Sequence, residues 1–146
     1  MTTIIAIGSD HRGFTLKQKL IQSLQKDNYK VVDYGTKSEE KKVDYPDYAK
    51  LVAKSVAKDA NTIGILICNT GVGMAIAANR FKNVRAAVCR DTESAALARQ
   101  HNNINVMVFG AQDTNHNTAL TIVKTFLNTN FEGGRHLKRL EKIDKT

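Results

Sequence analysis

Five short apolar runs, rich in β-branched residues, recur along this chain, and between each and the next lies a stretch whose apolar positions follow a helical period. That alternation limits the possible folds more than any other feature. TTIIAIGSD ends in a Gly-Ser-Asp turn, and FTLKQKLIQSLQKDN then places Phe14, Leu16, Leu20, Ile21 and Leu24 on one helical stripe. KVVDYG, IGILICN, VRAAVC and NVMVF read as further strands. The remaining helices are PDYAKLVAKSVAKD, opened by Pro46, then VGMAIAANRF, ESAALARQHN, HNTALTIVKTFLN and roughly HLKRLEKI. Runs that are apolar throughout, each followed by a helix, predict a parallel sheet covered on both faces, because a strand with water on one side would alternate with polar residues. The expected architecture is a doubly wound α/β fold, Rossmann-like and of the flavodoxin type, with a five-stranded sheet. At 146 residues, 42% of them hydrophobic, the chain suits one domain over 1–146 with a helical segment at about 133–143. No internal repeat or linker interrupts it.

No apolar run is long enough to cross a bilayer, and MTTIIAIGSDHRG lacks the basic start of a secretory leader. The two cysteines, Cys68 and Cys89, have neither CxxC spacing nor the density of a disulfide framework. A cytoplasmic protein without a membrane partner is expected. The net charge of +8 suits either a nucleic acid or an anionic small molecule. The basic residues are scattered over helix faces, densest in GRHLKRLEKIDK, and read mostly as solvated surface.

In open parallel sheets, ligands bind beyond the carboxyl ends of the strands, at the point where strand order reverses. The loops GSDHRG, DYGTKSEEKKVDYP, CNTGVG, CRDTE and FGAQD fall there, and the first and third carry reactive residue types. From Asn69 through Thr70, Gly71 and Val72 to Gly73, a run of backbone amides links a strand to a helix, which suits an anion or simply a tight turn. Cys68 stands at the mouth of this loop, where amides would favour a thiolate able to act as base or nucleophile. A thiolate phosphatase would need an arginine about six residues further on, and Met74 is found there instead. The thiol therefore suits attack on carbon-bound hydrogen better than attack on phosphorus. Cys89 has no Gly-rich loop after it and reads as inert, and His116 at a helix start is given no chemistry. Asp10 and His11 could bind hydroxyls or phosphate, or Asp10 could cap the next helix. His101 could be a helix C-terminal charge or a general acid. Arg135 and Arg139, spaced i, i+4, share a helix face that could grip a phosphate or simply be solvated.

GSDHRGF, VDYPDYA, GILICNTGVGMAIAANR, VRAAVC, RQHNNINVMVFG and FEGGRHLKRL together resemble the type B ribose-5-phosphate isomerases and their relatives acting on galactose and allose 6-phosphates. The resemblance spans nearly the whole chain. It implies a homodimer or dimer of dimers with each active site built from two chains, a phosphorylated sugar as substrate, and no cofactor, metal or nucleic acid. It further implies that Cys68 takes the proton from carbon 2 and that His101 helps open the sugar ring. Thr70 and the amides from Asn69 to Gly73 would stabilise the enediolate, and Asp10 and His11 would hold the substrate. Asn102, Arg135 and Arg139 would bind its oxygens and phosphate, some of them from the partner chain, and Tyr45 would form part of the pocket wall. One branch of the family uses a carboxylate base where Met74 stands, so this chain resembles the cysteine branch. Asn69 stands where glycine is usual, a position at which asparagine could adopt a left-handed backbone. Gln112 stands where some members carry a phosphate-side arginine. Both departures bear on which sugar is preferred, ribose 5-phosphate or a six-carbon sugar phosphate.

Overall fold

The apolar runs become five parallel strands, and the stretches between them become helices. The computed structural model describes residues 2–146. In chain order the elements are β1 (Ile4–Ser9), α1 (Phe14–Lys26), β2 (Lys30–Asp33), α2 (Tyr45–Lys58), β3 (Thr62–Cys68), α3 (Val72–Ala78), β4 (Ala86–Val88), α4 (Thr92–Asn102), β5 (Val106–Gly110), α5 (His116–Leu127) and α6 (Arg135–Asp144). The strands lie in the order β2-β1-β3-β5-β4. β5 sits inside the sheet although it follows β4 in sequence, and side-chain chemistry accounts for this. All of β3 and β5 is buried, as Ile, Leu, Met and Phe demand, whereas Ala-Ala-Val in β4 and the flanking charges of β2 tolerate an edge.

Alternate residues of the central strands point to opposite faces. Ile5, Ile7, Ile63, Ile65, Ile67, Met107 and Phe109 pack under α1, α4 and α5, where Leu16, Leu20 and Leu24 recur on successive turns of α1. Ala6, Leu66, Cys68, Val106 and Val108 pack under α2 and α3. α2 lies very close to the sheet, since a methyl group on Gly8 or Gly64 would fall 2.9 Å from the side chain of Val52. α3 ends at Ala78, short of the stretch predicted from period. Asn79 is drawn instead into pairing with the edge strand: its side-chain amide donates to the Ala86 carbonyl at 2.9 Å and its oxygen accepts from the Ala86 amide at 2.8 Å. That side chain stands in for a neighbouring strand and blunts the edge.

From β1 the chain crosses to β2 on one side, and from β3 it leaves toward β5 and β4 on the other. The loops after β1 and β3 therefore diverge and leave a crevice between them.

Candidate active site

At the end of β1, Asp10 is buried, with one carboxylate oxygen accepting from the amides of Arg12 at 3.0 Å and Gly13 at 3.1 Å. α1 starts after Gly13 without a side-chain cap, so Asp10 braces the turn that precedes the helix rather than capping it. His11 Nδ1 accepts from the Val43 amide at 3.2 Å. In the neutral ring the proton then sits on Nε2, leaving that atom as a donor. This bond also ties the long 34–44 loop to the first loop. Lys17 holds that loop from beneath: wholly buried, its ammonium meets Asp33 Oδ2 at 2.8 Å and Gln18 Oε1 at 2.8 Å, with Gly35 packed against its stem.

Across the crevice, Cys68 ends β3 and is 5% exposed. The residue belongs to the buried cluster of Leu66, Val106 and Val108, and its sulfur accepts the Gly71 amide at 3.2 Å. Gly71 takes φ +85°, the left-handed turn needed to bring its amide back over the sulfur. Asn69 is not in the left-handed region, so its side chain serves another purpose: Nδ2 donates to Gln112 Oε1 at 3.1 Å. Thr70 Oγ1 accepts from the Val72 amide at 3.3 Å. The β5 loop braces this turn, because the amides of Ala111 and Gln112 donate to the carbonyls of Cys68 and Asn69 at 2.9 and 3.1 Å. Tyr45 closes the far side, its ring lying against Gly73, where a methyl group would fall 2.5 Å from Cε1 and Cζ. Met74 is fully buried. Cys89 lies elsewhere in the core, and burial pushes its thiol up to about 11.

His101, Asn102, Arg135 and Arg139 do not join this group. β4 and β5 are parallel neighbours, so α4 must return from the carboxyl edge of the sheet to the amino edge before β5 can start. His101 lies in the last turn of α4 and therefore stands toward the sheet edge opposite Cys68. There the Glu132 amide donates to the Gln100 carbonyl at 3.0 Å, and His101 stacks on His136 at 4.3 Å and 14°. Arg135 and Arg139 lie on the exposed face of α6, and Asn102 is exposed at the end of α4. Burial lowers the pKa of His136, and the neighbouring Arg135 and His101 lower it further. Sequence reasoning assigned nothing to His136, Glu132 or Lys17. The Glu-x-x-x-His spacing in FEGGRH could have flagged the first two, whereas Lys17 lies on the buried stripe of α1, where a lysine reads as an exception.

A doubly wound parallel sheet, with a cysteine and a Gly-rich turn at its switch point, defines an α/β protein of the class whose ligand sites lie beyond the carboxyl ends of the strands. Residues 5–143 match the family model described as Ribose/Galactose Isomerase, and the chain belongs to that family. The ribose-5-phosphate isomerase B of Escherichia coli is 48% identical over 139 residues, 95% of this chain and 93% of that protein. A ribose 5-phosphate isomerase of Thermotoga maritima is 47% identical with a TM-score of 0.96, each chain covered fully. The ribose-5-phosphate isomerase B of Mycoplasma genitalium, solved with bound ribulose-5-phosphate, is 44% identical with a TM-score of 0.94, covering 99% of this chain and 96% of that one. The five-stranded sheet and the family expected from the sequence are thus borne out, and among the described residues no helix is long and apolar enough to cross a membrane.

Proposed function

We propose that this protein interconverts ribose 5-phosphate and ribulose 5-phosphate, with Cys68 as the base, in active sites that each combine two chains. The observation that carries the reading is the sulfur of Cys68 under the Gly71 amide, at the switch point of a fold shared with relatives of that activity. On the open-chain aldose, the sulfur removes the proton from carbon 2. The electron pair left behind forms the carbon 1–carbon 2 double bond, and the carbonyl oxygen becomes negative. Thr70 and the amides from Asn69 through Gly71 and Val72 to Gly73 receive that charge, which exists only in transit, so their effect falls on the barrier rather than on ground-state binding. The proton returns to carbon 1 while the hydroxyl proton of carbon 2 passes to the oxygen on carbon 1, which leaves a ketone at carbon 2 and a hydroxyl at carbon 1. Asp10 and His11 hold the sugar, and Tyr45 walls the pocket.

Ring opening needs a proton donor at the ring oxygen, and His101 is the candidate. It stands at the opposite sheet edge of its own chain, so the donor at each Cys68 comes from a second copy. Asn102, Arg135 and Arg139 share its edge and reach the same site, the arginines gripping the phosphate. Val72 and Ile76, exposed on adjacent turns of α3 beside the catalytic turn, offer that second copy an apolar contact. A dimer or dimer of dimers follows. The 1–146 chain acts as one catalytic domain whose segment at about 133–143 completes the phosphate site or the dimer interface, in the cytoplasm and with no cofactor.

Complementation tests both parts of the reading. Cys68→Ala and His101→Asn should each abolish turnover of ribose 5-phosphate. Co-refolded in equal amounts they should recover about one quarter of the parent rate, because half of the dimers are mixed and each mixed dimer holds one intact site. Mixed dimers that stay inactive would sink the shared site, and turnover by Cys68→Ala alone would sink the base. Allose 6-phosphate assayed alongside reports the sugar preference.

A further inference from the structure

We propose that His101, Glu132 and His136 form a binding site for a divalent transition-metal ion of the zinc type. Their donor atoms, two imidazole Nε2 and one carboxylate oxygen, lie within 4.8 Å of one another. Both rings present Nε2 to the same oxygen, Glu132 Oε1, at 3.9 Å from His101 and 3.6 Å from His136. The rings themselves stack at 4.3 Å and 14°.

The second observation is the state of His136. The residue is 6% exposed, and its Nε2 has no hydrogen-bond partner. A buried polar atom left unpaired is costly, and a metal ion is one of the few partners that could satisfy a nitrogen aimed at a carboxylate just beyond hydrogen-bond reach. Zinc bound at about 2.0–2.2 Å in a tetrahedral site separates its donors by roughly 3.4 Å. Each nitrogen therefore needs to approach the carboxylate by only about 0.5 Å or less, and the two nitrogens, within 4.8 Å of one another, must close by up to about 1.4 Å. The rings must also tilt so that both lone pairs meet at one point. His101 and Glu132 are partly exposed, at 38% and 46%, and can make that adjustment while His136 stays anchored. Two imidazoles and one carboxylate favour zinc over magnesium or calcium, which prefer oxygen alone, and the fourth position is left for water or a ligand. Arg135 and Arg139 are the cations that oppose binding. Both stand close enough to His136 to lower its pKa, but they are exposed on the single chain, where salt screening weakens that opposition.

One consequence rests on the functional reading above: an Nε2 of His101 engaged by metal cannot deliver a proton to the sugar ring, so zinc should inhibit. Titration calorimetry with zinc chloride on the full-length protein should show one ion per chain. Glu132→Gln, a change at an exposed side chain that should leave folding intact, should weaken binding by about tenfold or more, and His136→Asn likewise. Cobalt(II) should give a nitrogen–oxygen spectrum without the sulfur charge-transfer band that Cys68 or Cys89 would produce. No uptake, a thiolate band, or unchanged affinity in Glu132→Gln would overturn the site. In the isomerase assay zinc should inhibit the parent more than Glu132→Gln. Binding as expected with no inhibition would uphold the metal site and remove His101 from ring opening.

Discussion

Replacing Gly110 by alanine tests how rigidly the β5 end supports the turn from Cys68 to Gly73. The added methyl group would lie 2.6 Å from the Thr70 carbonyl oxygen, 2.7 Å from its carbon and 3.1 Å from Asp113 Oδ1. Ordinary contact begins near 3.4 Å, so the two backbones must part by about 0.8 Å. Neither side can yield freely. β5 is paired to β3 and β4, and the turn is held by the Ala111 and Gln112 amides at 2.9 and 3.1 Å. Overpacking of this kind costs roughly 1–3 kcal/mol, and each hydrogen bond lengthened adds about 1 kcal/mol. A loss of about 2–4 kcal/mol corresponds to a Tm lower by roughly 5–15 °C in a chain of this size. Since Thr70 and its amides move with the backbone, kcat should fall by about a hundredfold, the scale of an ångström-sized misplacement. Gly73→Ala is the internal control. Its overlap is with the Tyr45 ring at 2.5 Å, but that residue is 38% exposed and can swing outward, so the stability cost should stay near 1 kcal/mol while KM rises. Thermal unfolding and steady-state kinetics on both variants decide the matter. A Gly110→Ala protein that keeps its Tm within about 2 °C and its kcat within about threefold of the parent would refute the claim that the turn is fixed by backbone contact.

Arg135→Ala should raise KM for ribose 5-phosphate by roughly tenfold or more at nearly constant kcat, the worth of a charge-assisted hydrogen bond to phosphate, and an unchanged KM would remove it from the site. Lys17→Met keeps the stem that packs on Gly35 but loses the pair with Asp33, which is itself 33% exposed and can rehydrate, so urea unfolding should show a loss of roughly 1–3 kcal/mol. A loss below about 0.5 kcal/mol would make that pair incidental. The Cys89 thiol, pushed up to about 11 from 9.0, stays protonated in the folded chain where the unfolded chain would already ionise. Its contribution to stability is therefore complete below pH 9 and lost as pH rises toward 11. Cys89→Ala should show a shallower alkaline decline than the parent in urea midpoints, and parallel declines would refute the burial argument.

The sequence alone determined the elements and the carboxyl-edge loops, because period and apolar content are local properties that each segment carries with it. It therefore located Asp10, His11, Tyr45 and the stretch from Cys68 to Gly73 at the mouth of the sheet. Tertiary structure decided what depends on pairing between distant segments. β5 displaced β4 from the interior because its larger side chains gain more from burial, an outcome that sequence order does not reveal. Only the path of α4 put His101 and the arginines at the far edge, and only packing set His136 on His101 and Lys17 against Asp33. Contacts of that kind depend on which layers meet, and that is settled by burial summed over the whole chain rather than by any one stretch of it.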